Sequence, residues 1–168
     1  MEVRGKMDVW NGRQTVTWLW GLPESFPGEC WVNAQDVKLD GDPASLDVLY
    51  PEKVDLPFLR DPRWPLAQNL KVERLREQVN VSWDFFDVPL GERESENSPR
   101  YILEAWLCRD GEVRFTPIPV YEFTRVEMID QAGCAEPSHG RLVLAEKHGY
   151  VGPVDIEWPP YPLSTSTP

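Results

Sequence analysis

Between Leu70 and Trp158, apolar side chains recur at every second position in short runs separated by turn residues. A repeat of two is the period at which side chains of an extended strand face opposite sides of a sheet. The pattern therefore predicts strands and leaves no room for long amphipathic helices. "NLKVER" and "QVNVSW" place Leu70 and Val72, then Val79, Val81 and Trp83, at alternate positions. "LKVERLREQVNVSW" comes nearest to a helical stretch, but its alternating valines favour strands. "YILEAWLC" puts Tyr101, Leu103, Ala105 and Leu107 on one face. Asp110-Gly111 follows at once, the dipeptide that a two-residue type I′ hairpin turn demands. "EVRF", "TRVEMI", "RLVLAEK" and "VDIEW" complete a series of about seven strands, the count and spacing of a Greek-key sandwich.

The first third of the chain has a different punctuation. "QTVTWLW", residues 14 to 20, is β-branched and aromatic, as a strand should be; "GLPESFPGE" breaks it, and "CWVNAQDVKL" resumes an extended pattern. "DGDPAS" then marks a turn, so a β-hairpin with a long loop is expected. From Pro51 the sequence "PEKVDLPFLRDPRWPLAQ" carries Pro51, Pro57, Pro62 and Pro65, which bias it toward an extended, semi-rigid connector. Leu56, Phe58, Leu59 and Trp64 make it too apolar for a solvated tether, so it is expected to pack along a neighbour. Trp64, Trp106 and Trp158 are the residues expected to join it to the sandwich. The resulting division is a β segment over 1–50, a connector over 51–65, a β-sandwich over 66–159 and a tail or linker over 160–168. Residues 87–100, "DVPLGERESENSPR", read as an exposed loop.

Charge limits the partners. The net charge is −11, with 7 basic and 11 acidic residues before Pro65 and 10 and 17 from there on. The acidity is shared and neither part hides a basic face, so the charge disfavours nucleic acid and anionic membrane surfaces, and no nucleic-acid partner is expected. No apolar run approaches the roughly 18 residues of a membrane span, so no membrane insertion is expected. "MEVRGKMDVW" has no apolar signal core. Either the protein stays in the cytosol, or an exported portion precedes this chain. A hydrophobic content of 41% is enough to bury a core.

Residues 66 to 159 resemble a fibronectin type III domain, an immunoglobulin-like sandwich, through "NLKV", "VNVSW" with Trp83, "YILEAW" with Tyr101, "RLVLAEK" and "VDIEWP". The family usually opens its sixth strand with a tyrosine that closes a corner by hydrogen bonding. Arg141-Leu142 stands there instead, so either another group closes the corner or the alignment shifts by a few residues. The stretch from "TWLW" to "GECWVNAQDVKLDGDPASLDVLYP" resembles the last part of a bacterial SH3-like domain, with Trp18 and Cys30-Trp31-Val32 at matching places. The earlier strands of that family find no counterpart. The segment reads as the remnant of a truncated module; the competing reading is a β-extension that is complete as it stands.

The fibronectin resemblance implies that the turn after the third strand and the loop before the sixth share a pole, which makes Cys108 and Cys134 a disulfide candidate. Alternation turns Cys108 away from the face of Tyr101 and Leu107, toward that loop. Such a bridge would stabilise by roughly 3 kcal/mol and implies an oxidising compartment, hence an extracellular or cell-surface location. The alternative is a pair of idle thiols. Cys30 is left over. No metal or cofactor is expected, because no two cysteines are closely spaced and His139 and His148 lack ligand-like neighbours. Ser138 beside His139 invites a catalytic triad, but no nucleophile elbow or glycine-rich oxyanion turn accompanies them. Asp84, Asp87, Glu104 and Glu157 are scattered rather than paired. Enzyme activity is not expected. Trp10, Trp18, Trp20 and Trp31 offer an aromatic surface for stacking on sugars or clasping a peptide; the competing reading makes them a core.

The sequence therefore points to a non-catalytic binding or spacer module of a bacterial extracellular or cell-surface protein. The resemblance implies cell-wall glycopeptide, polysaccharide or protein as ligand. The alternative is an accessory domain of a secreted hydrolase whose catalytic part lies outside this chain. The loop of residues 87–100 and "KHGYVGP" are expected to share the pole opposite the disulfide and to form the contact surface.

Overall fold

A computed structural model of the chain describes residues 1–24, 28–53, 64–87, 89, 95, 97–146 and 149–161. It divides into two units, Met1–Leu56 and Pro57–Pro168.

The N-terminal unit is a three-stranded antiparallel sheet, where a two-stranded hairpin was expected. β1 (Glu2–Trp10), β2 (Thr15–Leu22) and β3 (Cys30–Asn33) lie in the order β1-β2-β3. β1 follows a period of two, with Gly5, Met7 and Val9 buried in alternation. The turn after it is tied by Asn11, whose side-chain oxygen accepts hydrogen bonds from the backbone N–H groups of Arg13 and Gln14. Gly12 there has φ +91°, a conformation open to glycine at little cost. "CWVNAQDVKL" is extended only through Asn33; the chain then turns through a single 3-10 turn, Ala34–Asp36, capped by the Asn33 side chain. Farther on, Val48 pairs in parallel with Lys6 along the free edge of β1. Gly21 is required by packing: a Cβ there would lie 2.3 Å from the Glu2 carbonyl oxygen.

The C-terminal unit contains seven strands: β4 (Lys71–Leu75), β5 (Gln78–Ser82), β6 (Tyr101–Arg109), β7 (Glu112–Val120), β8 (Arg125–Ile129), β9 (His139–Glu146) and β10 (Gly149–Ile156). They form two antiparallel sheets, β4-β5-β8 and β10-β9-β6-β7. Val79, Val81 and Met128 from the first sheet share one core with Tyr101, Leu103, Ala105, Leu107, Leu142 and Leu144 from the second. The alternating residues named from the sequence are thus the ones that close the sandwich. Each buried Val, Leu or Met among them contributes about 1.5–3 kcal/mol. Trp83 is 4% exposed and meets Tyr101 edge-on, with ring centroids 5.3 Å apart. The Tyr101 hydroxyl accepts from the N–H of Phe86 at 2.6 Å, which fixes the chain leaving β5.

Three features exceed the sequence reading. The hairpin joining β6 to β7 has positive φ at both Asp110 and Gly111, as a type I′ turn needs, but β7 runs on past "EVRF" to Val120 through Pro117 and Pro119. An edge strand can hold them because their missing N–H groups face away from the ladder. Second, β6 is buried on both faces. Opposite the shared core, Trp106 stacks on His139 with centroids 4.6 Å apart and lies 4.7 Å from the ring of Phe115, while Glu104 pairs with Arg141. Third, the connector's Trp64 belongs to the sandwich core, edge-on to Phe86. Leu56, Phe58 and Leu59 lie outside the described residues, as do His148 and much of the loop between β5 and β6.

Candidate functional site

Cross-strand pairing decides which tryptophans act together. Trp18 is opposite Met7 and Asn33, and Trp20 is opposite Gly5 and Trp31. Directly opposed residues of antiparallel strands share a face, so Trp18, Trp20 and Trp31 line one side of the N-terminal sheet with Met7 and Val9. Trp10, opposite Thr15 and one position on from Val9, belongs to the other side with Lys6, Asp8 and Leu19. The structure brings three of the four candidates together and separates the fourth.

All four tryptophans are half-buried, neither sealed in a core nor bare. Trp20 and Trp31 form a tilted pair with centroids 5.1 Å apart and planes at 48°. Trp18 stands two residues along the same strand, about 7 Å away. Leu49 lies over Gly5 on this side, where a Cβ would come within 2.3 Å of its Cδ1. The small residue keeps the backbone low beside Trp20 and gives the stripe a flank. On the reverse side Leu19 is fully buried, and Thr17 donates a 2.6 Å hydrogen bond to Asp8. The strand carrying Trp18 and Trp20 is therefore anchored from behind.

The second cluster surrounds the bridge between Cys108 and Cys134, which is formed, with Cα atoms 5.8 Å apart. Cys30 is a free thiol on β3. Beside the bridge, Asp130 is 2% exposed and acts as an acceptor hub. Its Oδ1 takes hydrogen bonds from the Cys108 N–H (2.8 Å) and the Ser138 hydroxyl (2.5 Å); its Oδ2 takes one from Trp158 Nε1 (2.9 Å) and pairs with the Arg74 guanidinium. Burial alone pushes this carboxyl up, but the donors from Ser138, Arg74, Trp158 and Cys108 outweigh it and hold it below the usual carboxylate range. A cleft of about 200 Å³ opens next to it, lined in part by Arg74, Gln131, Trp158 and Tyr161.

This geometry separates Ser138 from His139. The Ser138 hydroxyl is committed to Asp130, while the His139 ring stacks on Trp106. Three of the four scattered carboxylates have other partners: Asp84 accepts from Asn69, Asp87 pairs with Arg100, and Glu104 pairs with Arg141. Among the described residues no three His, Cys, Asp or Glu side chains converge as metal ligands would, and no helix is long and apolar enough to cross a membrane. Asp130 was not singled out from sequence. The only local signal is an acidic residue directly after the alternating strand β8, and its partners come from four separate stretches of chain. Comparison with protein-family models, characterised proteins and solved structures returns no match.

Proposed function

We propose that the chain is a non-catalytic recognition module of a bacterial extracellular or cell-surface protein, and that Trp18, Trp20 and Trp31 take a glycan or glycopeptide of the cell wall. The observation that carries this reading is the half-buried, tilted Trp20–Trp31 pair with Trp18 on the same side of one sheet. Flat π-faces held on strands suit the apolar faces of pyranose rings. The disulfide supports an oxidising compartment. The strand orders β4-β5-β8 and β10-β9-β6-β7 support the fibronectin type III reading of the C-terminal unit, with Asp130 taking over the corner that a tyrosine usually closes. In the N-terminal unit, Trp18 and the Cys30-Trp31-Val32 strand keep the SH3-like reading open.

The test is a titration of tryptophan fluorescence with soluble peptidoglycan fragments, backed by a glycan array. Trp20→Ala and Trp31→Ala are each expected to weaken binding about tenfold, the equivalent of about 1.4 kcal/mol. Binding that survives the Trp18→Ala/Trp20→Ala double change would refute the assignment.

A further inference from the structure

The C-terminal unit has four sheet edges, and three of them are guarded. On β7, Pro117 and Pro119 remove two donors from the outward side. On β10 the ladder is interrupted between Val151 and Val154, and Pro153 sits in the gap. Beside β4, Arg74 Nε donates to the Pro159 carbonyl at 2.9 Å and its guanidinium lies 5.4 Å from the Tyr161 ring, so the segment after β10 is tied to that strand. β8 differs. It contains no proline, its five pairs with β5 run without a shift, and among the described residues no hydrogen bond reaches its outer side. Alternate residues of an edge strand point N–H and C=O groups outward. Unguarded edges invite another strand, and natural proteins commonly block those they do not use.

A groove of about 440 Å³ runs alongside this edge, between β8 and β7. Ile118 and Val126, both packed against the core, contribute to its lining. Tyr121 and Phe123, on the connection from β7 to β8, stand 48% and 76% exposed beside it. Phe123 is the most exposed of the large apolar side chains described. Unpaired backbone next to an apolar groove calls for an extended segment: its main chain pairs with the edge and every second side chain enters the groove.

Charge identifies the kind of segment. The chain carries a net −11, which draws in a cationic partner. In-register antiparallel pairing of two copies through β8 would set Glu127 against Glu127, and like charges opposed across strands are destabilising. We propose that the outer edge of β8, with Tyr121 and Phe123, docks an extended, net-cationic peptide segment of another protein as a fourth strand of the β4-β5-β8 sheet. This surface does not draw on the tryptophan face of the N-terminal unit.

The test pans the full chain against a displayed library of random decapeptides and synthesises the enriched sequences. The expected sequences alternate apolar residues with Lys or Arg. A bound peptide slows exchange of the outward β8 amides at least tenfold. The Tyr121→Ser/Phe123→Ser double variant weakens binding at least tenfold, whereas Leu75→Ser, exposed on β4, leaves it unchanged. A measurement that needs no protein variant is N-methylation of the peptide at alternate residues: one register abolishes binding and the other spares it. Failure to enrich any peptide, enrichment of acidic ones, or protection confined to other strands would overturn the proposal. So would a concentration-dependent dimer that protects the same β8 amides without peptide.

Discussion

Asp130→Asn removes one negative charge from the disulfide pole while keeping the side chain's size. Asp130 and Arg74 are 2% and 5% exposed in their side chains, so the guanidinium would lose its counter-charge while largely buried. The amide also fits badly. Each Asp130 oxygen accepts from two donors, so an NH₂ would face the Arg74 and Trp158 donors at the Oδ2 position or the Cys108 N–H at the Oδ1 position. Breaking a buried pair by removing one member costs about 3–5 kcal/mol. With a urea dependence of about 2 kcal/mol per molar, the unfolding midpoint of the C-terminal unit should fall by about 2 M. The pH dependence gives a second readout. The folded-state pKa of Asp130 is depressed, so its contribution is fully present above the unfolded value of about 4. It is lost as pH falls through the lower, folded value. The gap between wild type and variant should therefore be full at neutral pH and close in acid, starting near pH 4. Urea titrations at several pH values, followed by exchange of the β6 amides, measure both effects. A cycle with Arg74→Met isolates the pair. A loss under about 1 kcal/mol at neutral pH, or a gap that does not change with pH, would refute the assignment of Asp130 as the tie of this pole.

Three further outcomes follow from the geometry. Under denaturing, non-reducing conditions one thiol, Cys30, should react with a thiol reagent, and reduction should release two more; Cys108→Ser/Cys134→Ser should cost the C-terminal unit about 3 kcal/mol in denaturant unfolding for a loop of this length. Gly21→Ala should destabilise the N-terminal unit by about 1–3 kcal/mol, because the new methyl meets backbone rather than a side chain that can move. Hydrogen exchange should show the Gly21→Ala effect in β1 and β2 and leave β5 and β6 unchanged.

Local chemistry alone decided much of this protein. Val79 with Val81, and Tyr101 with Leu103, Ala105 and Leu107, each share one face by strand alternation and bury it in the common core, whereas the burial of the opposite face of β6 was not written in that alternation. Asp110-Gly111 accepts positive φ at both positions and so sets a tight turn between β6 and β7. β1 carries a local signal too: Gly5, Met7 and Val9 alternate ahead of Asn11-Gly12, a turn-forming dipeptide within the four-residue connection from Trp10 to Thr15. Other features depend on which strands meet. Pro117 and Pro119 argue against a strand until β7 proves to be an edge. Trp10 parts from Trp18, Trp20 and Trp31 because register assigns the faces, and the partner strand is remote information for any one residue. Asp130 goes furthest in this direction. As a residue it is one acidic side chain after an alternating strand, and only folding brings Arg74, Cys108, Ser138 and Trp158 around it. Alternation and turn chemistry act over a few bonds and are written in the chain itself; a buried charge needs donors gathered from distant segments, and only the tertiary structure supplies them.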